Sequence, residues 1–327
     1  MQTVMLRTVR VIAPSRLHFG LFGLAQKAGR MYGGVGVMID RPVVELEIRP
    51  ATGWSCGGIL ADRAAAFASR WAAFHDIRPL PECHLEVLRA PPNHVGLGVG
   101  TQLALSVAAG LDAFLHLPSS APQELALSVG RGERSAIGTY GFVMGGLIVE
   151  RGKLPGEPIS PLDCRIDLPD DWRFVLLRPV GWHGLSGELE EDAMTGLPDV
   201  SQEITETLIA EARDHLIPAA ATANFAEFAG SLYRYGNLAG SCFAARQGGP
   251  YNGTELTALI QWLRDRGYAG VGQSSWGPTL FATLPDQSSA EELAARLRQD
   301  LSQVALEISI SRPDNRGAQV SLISART

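Results

Sequence analysis

No stretch of the 327-residue sequence reaches the roughly 20 apolar residues that a membrane span requires. The N-terminal MQTVMLRTVRVIAPSRLHF carries Arg7 and Arg10 inside its apolar part and has no small-residue cleavage site, so it does not read as a secretory leader. A cytoplasmic location is the expectation. Positive charge is scarce as well: the net charge of −6 excludes a general binder of nucleic acid or of anionic membrane, both of which need a positive field. An anionic substrate must therefore be met by local arginines. Cysteine occurs four times, at 56, 83, 164 and 242, with no C-x-x-C pair and no histidine spaced to complete a zinc site. Those thiols are expected to be reduced and buried. There is no repeat of fixed period and no low-complexity tract. What remains, 46% hydrophobic and 19% charged residues, is the composition of an ordinary globular chain long enough for about two domains.

Glycine, by contrast, is concentrated where it is informative. In PPNHVGLGVGTQLALSVAAGL, Pro91 to Leu111, Gly96, Gly98 and Gly100 fall within five residues and an apolar helix follows at once. Glycine lets backbone N–H groups turn toward a ligand without a side chain in the way, and a helix N-terminus adds donors and partial positive charge. The loop thus reads as an anion cradle. Leu103, Val107, Leu111 and Leu115 recur every fourth residue, predicting a buried helix that begins near Thr101 with Thr101 as its cap. Two nucleotide signatures are absent. A P-loop needs Lys then Ser or Thr after its last glycine, and here Thr101-Gln102 follows; the dinucleotide fingerprint needs G-x-G-x-x-G and an acid about twenty positions on. A ligand-free strand-to-helix turn is the competing reading of the loop taken alone.

Around this loop, TVRVIAPSRLHFGLF and VGVMIDRPVVELEIRP predict strands, separated by the loop GLAQKAGRMYGG with Lys27 and Arg30. ADRAAAFASRWAAFH predicts a helix and CHLEVLRAP a strand. APQELALSVGRGERSAIGTYGFVMGGLIVERG predicts a short helix, an irregular glycine-rich passage and a strand, Gly146 to Glu150. The proline- and acid-rich residues 154 to 171 mark a surface connection, which sets domains at 1–160 and 161–327. Beyond it come strand WRFVLLRPVG, helical GELEEDAM through HLIPAA, ANFAEFAGSLYRYGNLAGSCFAA and TELTALIQWLRDRG, and finally strand GVGQSSWGPTLFATL, helix SSAEELAARLRQDL and strand QVALEISISRP. Ser289 with Glu292 predicts a capping box on that last helix, whose stripe is Leu293, Leu297 and Leu301. An open antiparallel sheet covered by helices on one face, an α+β arrangement, follows from this order.

Three motifs in order, APSRLHFGLF, PPNHVGLGVGTQLAL and GVGQSSWGPTLFA, resemble the GHMP superfamily of small-molecule kinases, whose phosphate loop reads P-x-x-x-G-L-G-S-S-A. Through GLGVGTQLAL, GRGERSAIGTYGFVMGG and the QGG of Gln247 to Gly249, the chain is more specifically similar to β-ribofuranosylaminobenzene 5′-phosphate synthases. That resemblance implies a GHMP-kinase-like two-domain fold, with an N-terminal ribosomal-protein-S5-like α/β domain and a C-terminal ferredoxin-like α+β domain. It implies joining of phosphoribosyl diphosphate to 4-aminobenzoate or 4-hydroxybenzoate with loss of CO2 and diphosphate, an early step toward the one-carbon carrier tetrahydromethanopterin. Mg²⁺ as cofactor and a homodimer are further implications. The kinase pattern S-G-I-D falls on Ser135, Ala136, Ile137 and Gly138, so the kinase carboxylate position is a glycine. A hydroxyl-phosphorylating kinase benefits from a proton acceptor there. A ring carbon that expels CO2 does not need one. An ATP-dependent small-molecule kinase is the alternative activity, and a noncatalytic ligand-binding regulator is a third.

On this resemblance Arg16, His18, Arg134 and Ser135 are the catalytic candidates. Arg16 and His18 alternate on the first strand and so share a face, Arg16 toward a carboxylate or phosphate and His18 toward a ribose hydroxyl. Gly96, Leu97, Gly98, Val99, Gly100, Thr101, Gln102 and Arg131 are the phosphate-binding candidates. Val99-Gly100 replaces the kinase Ser-Ser, moving a metal-facing hydroxyl to Thr101, so Thr101 and Glu133 are the Mg²⁺ candidates. Tyr140, Phe142 and Trp276 are candidates for stacking on the benzoate, with core packing the other role open to them. His183, Ser186, Glu188 and Glu191 read as a loop lining the cleft, because no acid orients the histidine and no G-x-S-x-G elbow occurs.

Overall fold

The computed structural model describes residues 7–24, 29–182, 184 and 200–324. In chain order the strands and helices are β1 (Arg7–Phe22), β2 (Gly33–Pro50), β3 (Ser55–Gly58), α1 (Ala61–Phe74), β4 (Cys83–Arg89), α2 (Val99–Phe114), α3 (Pro122–Ser128), α4 (Ile137–Met144), β5 (Leu147–Glu150), β6 (Leu162–Ile166) and β7 (Arg173–Pro179). There follow α5 (Gln202–Ala210), which runs through a wider turn at Glu211–Leu216 into α6 (Ile217–Ala221), then α7 (Phe225–Ser241), α8 (Ala244–Gln247), α9 (Thr254–Asp265), β8 (Val271–Gln273), β9 (Leu280–Leu284), α10 (Gln287–Asp300), β10 (Leu306–Ser311) and β11 (Gln319–Ser324).

Two sheets result. The first runs β11-β1-β2-β4-β3, with β5 on β2 and β6 on β5; the second runs β10-β7-β9-β8. Every pair is antiparallel except β3 with β4. Strand β2 is long enough to serve two neighbours: its first half pairs with β5 and its second with β4. Helix α2 lies across β1 and β2, burying Leu103, Val107 and Leu111 completely. Gly110 permits this approach, since a Cβ there would stand 2.8 Å from Ile48 Cδ1. The sheets meet through aromatic rings, with Phe19 and Phe281 centroids 5.3 Å apart.

The fold is the expected α+β one, with local differences. Helix α2 starts at Val99, not Thr101: Gly98 is its N-cap at φ +72°, a left-handed conformation in which glycine is unstrained, so no side-chain cap is used. The passage taken as irregular contains α4, whose glycines lower its helical signal but let it sit against β2; a Cβ on Gly141 would stand 2.6 Å from Met38 Cγ. Helix α10 is capped by Asp286, which accepts from Ser289 N at 2.8 Å, in place of a Ser289–Glu292 box. Strands β6 and β11, both beyond residue 160, complete the first sheet. The four cysteines are free thiols, but only Cys83 is buried; Cys56, Cys164 and Cys242 are half-buried, contrary to expectation. Among the described residues no helix is long and apolar enough to cross a membrane.

Candidate active site

A cleft of about 680 Å³ opens between the glycine loop, the turn before α4 and the α7–α8 region. Gly96, Leu97, Gly98, Val99, Gly100 and Thr101 line it, as do Arg16, His18, Arg131, Glu133, Arg134 and Ser135. One phosphate-loop candidate does not. Gln102 is fully buried on the other side of α2, where Nε2 donates to Gly138 O at 3.0 Å and ties α2 to α4.

The loop is built to hold guanidinium groups close. Arg16 N donates to Leu97 O at 3.1 Å, and a Cβ on Gly98 would stand 2.6 Å from Arg16 Cγ. Over Gly100 the missing side chain is replaced by two more arginines: a Cβ there would be 2.7 Å from Arg63 Nη2 and 3.3 Å from Arg131 Nη2. Arg63 comes from α1 and is steadied by Asn93 Oδ1 at 2.5 Å, while the Arg131 guanidinium stacks 5.0 Å above the Phe67 ring. Burial lowers the Arg63 pKa from its ordinary value, although a guanidinium remains charged at neutral pH. Four arginines, Arg16, Arg63, Arg131 and Arg134, thus share one cleft with the N-terminus of α2. In a chain of net charge −6 such a concentration of like charge is suited to a polyanion.

Beneath the arginines lies a polar floor. His18 is 4% exposed and its pKa is held well below 6.5, first by burial and then by the Arg16 charge, so the imidazole is neutral. Gly20 N donates to His18 Nδ1 at 3.2 Å, His18 Nε2 is 3.3 Å from Ser135 Oγ, and Ser135 Oγ donates to Glu150 Oε1 at 2.6 Å. Glu150 Oε2 accepts from Ala136 N at 2.7 Å. Burial pushes the Glu150 carboxyl up to about 7 against these hydrogen bonds.

The second sheet is stitched to the loop by GVGQSSWGP. Ser274 Oγ donates to Gly96 O at 2.6 Å and accepts from His18 N at 2.9 Å, and Ser275 N donates to His18 O at 3.1 Å. This motif also supplies Trp276, whose ring meets Phe243 edge-on at 4.6 Å. Phe19, Leu21, Phe243, Tyr251 and Trp276 make part of the cleft apolar. Among them Gln247 donates both amide hydrogens, to Gly240 O at 3.1 Å and Pro250 O at 3.0 Å, so its side chain has only acceptor capacity left for a ligand.

Of the aromatic candidates only Trp276 reaches the cleft. Tyr140 donates to Ser160 O at 3.0 Å, away from it, and Phe142 is buried in the core. Arg30 is fixed to Glu157 Oε2 at 2.7 Å and Gly152 O at 2.8 Å. Lys27, His183, Ser186, Glu188 and Glu191 lie outside the described residues. Arg63, Glu150, Phe243 and Ser274 are site residues that sequence reasoning missed. Among the described residues no three His, Cys, Asp or Glu side chains gather as a metal cage. Thr101 and Glu133 do provide two oxygen donors in the cleft, which suits an ion carried mainly by substrate phosphates.

Fold and cleft together define a GHMP-kinase-type scaffold. Residues 216–303 match the family described as GHMP kinases C terminal, and the chain superposes on mevalonate pyrophosphate decarboxylase from Streptococcus pyogenes with a TM-score of 0.69 at 12% identity, covering 95% of this chain and 98% of that one. More specifically, the chain is similar to β-ribofuranosylphenol 5′-phosphate synthases. It is 28% identical to that of Archaeoglobus fulgidus, over 96% of this chain and 100% of the relative, and 29% identical to that of Methanothermobacter thermautotrophicus, over 84% and 88%. The resemblance carried by the motifs is borne out.

Proposed function

We propose that the protein joins phosphoribosyl diphosphate to a para-substituted benzoate, 4-hydroxybenzoate or 4-aminobenzoate, to give a C-riboside 5′-phosphate, CO2 and diphosphate. The ring carbon bearing the carboxylate attacks C1′ as the C1′–O bond to diphosphate breaks. The ring–carboxylate bond then breaks, its electron pair restores aromaticity, and CO2 leaves. The single observation that carries this reading is that Arg16, Arg63 and Arg131 close on the glycine loop in a cleft that Arg134 also lines. Arginine forks bind phosphate oxygens and stabilise the charge that develops on departing diphosphate. Nothing in this reaction demands that a base take a proton from the nucleophile. The relatives' name, a ribofuranosylphenol phosphate synthase, supports the hydroxy acceptor.

In this reading Arg16, Arg63, Arg131 and Arg134 hold the donor's 5′-phosphate and diphosphate, and the wall of Phe243 and Trp276 holds the ring. Holding both reactants in line converts a bimolecular encounter into a positioned one. Glu133 and Thr101 would be the residues to hold Mg²⁺, which would supply neutralisation of diphosphate charge. The product fits the start of tetrahydromethanopterin synthesis, in the cytoplasm, and a homodimer is the oligomer implied by the resemblance. Incubation with phosphoribosyl diphosphate, Mg²⁺ and carboxyl-labelled 4-hydroxybenzoate or 4-aminobenzoate is expected to release labelled CO2 in step with diphosphate. Folded protein that releases none from either acid overturns the proposal, and ADP formation dependent on a small alcohol replaces it with kinase activity.

A further inference from the structure

Glu150 is a fully buried carboxylate that does not line the cleft, yet it ends a hydrogen-bond chain that does. With Glu150 ionised, the direction of each bond in that chain is determined. Ala136 N can only donate, and it takes one carboxylate oxygen at 2.7 Å. The other oxygen accepts the Ser135 hydroxyl hydrogen at 2.6 Å. Ser135 Oγ, having given its hydrogen to Glu150, can only accept, and it faces Ile137 N and His18 Nε2, each at 3.3 Å. The proton of the neutral imidazole therefore sits on Nε2, in agreement with Gly20 N donating to Nδ1. Ser160, whose Oγ accepts from Gly152 N, also hydrogen-bonds the carboxylate, and Arg16 is the nearby cation. Ser135 and His18 line the same cleft as Arg134 and Arg16.

We propose that Glu150 is the positioning residue of this site: as common acceptor for Ser135 and Ala136 it sets the direction of every hydrogen bond along the floor and, with them, holds His18 as the Nε2–H tautomer. The inference for turnover rests on the synthase reading above; the inference for the imidazole does not. Glu150→Gln has the same shape, but an amide cannot accept at both ends. Its oxygen must face Ala136 N, because an NH2 group there would oppose another donor. Its NH2 then donates to Ser135 Oγ, and the Ser135 hydrogen is forced toward His18 Nε2 or into the cleft. A two-donor conflict arises at His18 that the wild type lacks.

The test is 15N NMR of the imidazoles in the full chain well above pH 7, where Glu150 is ionised, assigned with a His18→Gln control, alongside CO2 release. Wild-type His18 is expected to show a single neutral Nε2–H tautomer; in Glu150→Gln its nitrogen shifts are expected to move toward mixed tautomers, and kcat to fall roughly tenfold or more in a protein that still melts cooperatively. In a Ser135→Ala background the same Glu150→Gln change should leave the His18 signals where Ser135→Ala alone puts them. Unchanged His18 shifts in Glu150→Gln, or a shift that persists without Ser135, overturns the proposal. So does an altered tautomer with unaltered turnover, provided the wild type releases CO2. If the wild type releases none, the synthase reading fails by itself and the imidazole spectrum still decides the role of Glu150.

Discussion

At the scale of single residues, the site is governed by groups whose surroundings shift them from their ordinary chemistry. Glu150 is the sharpest case. Its folded pKa, raised to about 7 by burial, lies above the ordinary 4.5, so folding favours the protonated form. The stability this group contributes is complete below about 4.5 and is lost as pH rises through 7. Denaturant midpoints are expected to fall over that interval by an amount on the order of 3 kcal/mol in unfolding free energy, and Glu150→Gln is expected to flatten the fall. A midpoint trend that is the same in both proteins contradicts the assignment. The floor thus holds a carboxyl group that ionises near neutrality, and ionising it costs stability, which is the usual trade at a working site. Nothing in LIVERG announces this. Glu150 reads as a strand end beside a polar connection, and only the pairing of β5 with β2 places it behind Ser135.

Elements set where the charges gather. The start of α2 was legible because glycine spacing and a four-residue apolar repeat are local signals; its cap was not, because a left-handed Gly98 serves where Thr101 offered a hydroxyl. Gly98→Ala meets two obstacles, the positive φ and the closeness of Arg16 Cγ, and is expected to weaken binding of phosphoribosyl diphosphate about tenfold or more while costing roughly 1–2 kcal/mol of stability. Calorimetric titration and thermal melts together check it; wild-type affinity would count against the loop as the donor's seat. Helix α1 hid its contribution differently. Arg63 and Arg70 stand seven residues apart in an alanine-rich helix and look equivalent in sequence, but only Arg63 lines the cleft with Asn93 and Gly100. Likewise Tyr140, Phe142 and Trp276 are indistinguishable as aromatic candidates until α4 turns the first two inward.

On the scale of the whole molecule, the cleft exists only where the two sheets are joined. Ser274 makes that joint: one hydroxyl, fully buried, links His18 N in β1 to Gly96 O in the loop, across 256 and 178 residues of sequence. Ser274→Ala leaves a buried donor and a buried acceptor unmatched and is expected to cost about 1–3 kcal/mol of stability. It should also raise the KM for phosphoribosyl diphosphate, because Gly96 and the floor would no longer be held in one register. A melt shift without any change in KM would mean that the joint is structural alone. Order of elements and motif identity were readable along the chain; such cross-links were not, since they depend on pairings with no local trace.

The pairing of β11 with β1, Val320 opposite Val11, has a consequence for biosynthesis. A nascent chain on the ribosome must hold the outer flank of β1 open until residues 319–324 emerge, and contacts this distant in sequence form late. The sheet beneath the arginines is therefore finished only after more than three hundred residues have been made, and truncation short of β11 would leave that flank open to a neighbouring chain.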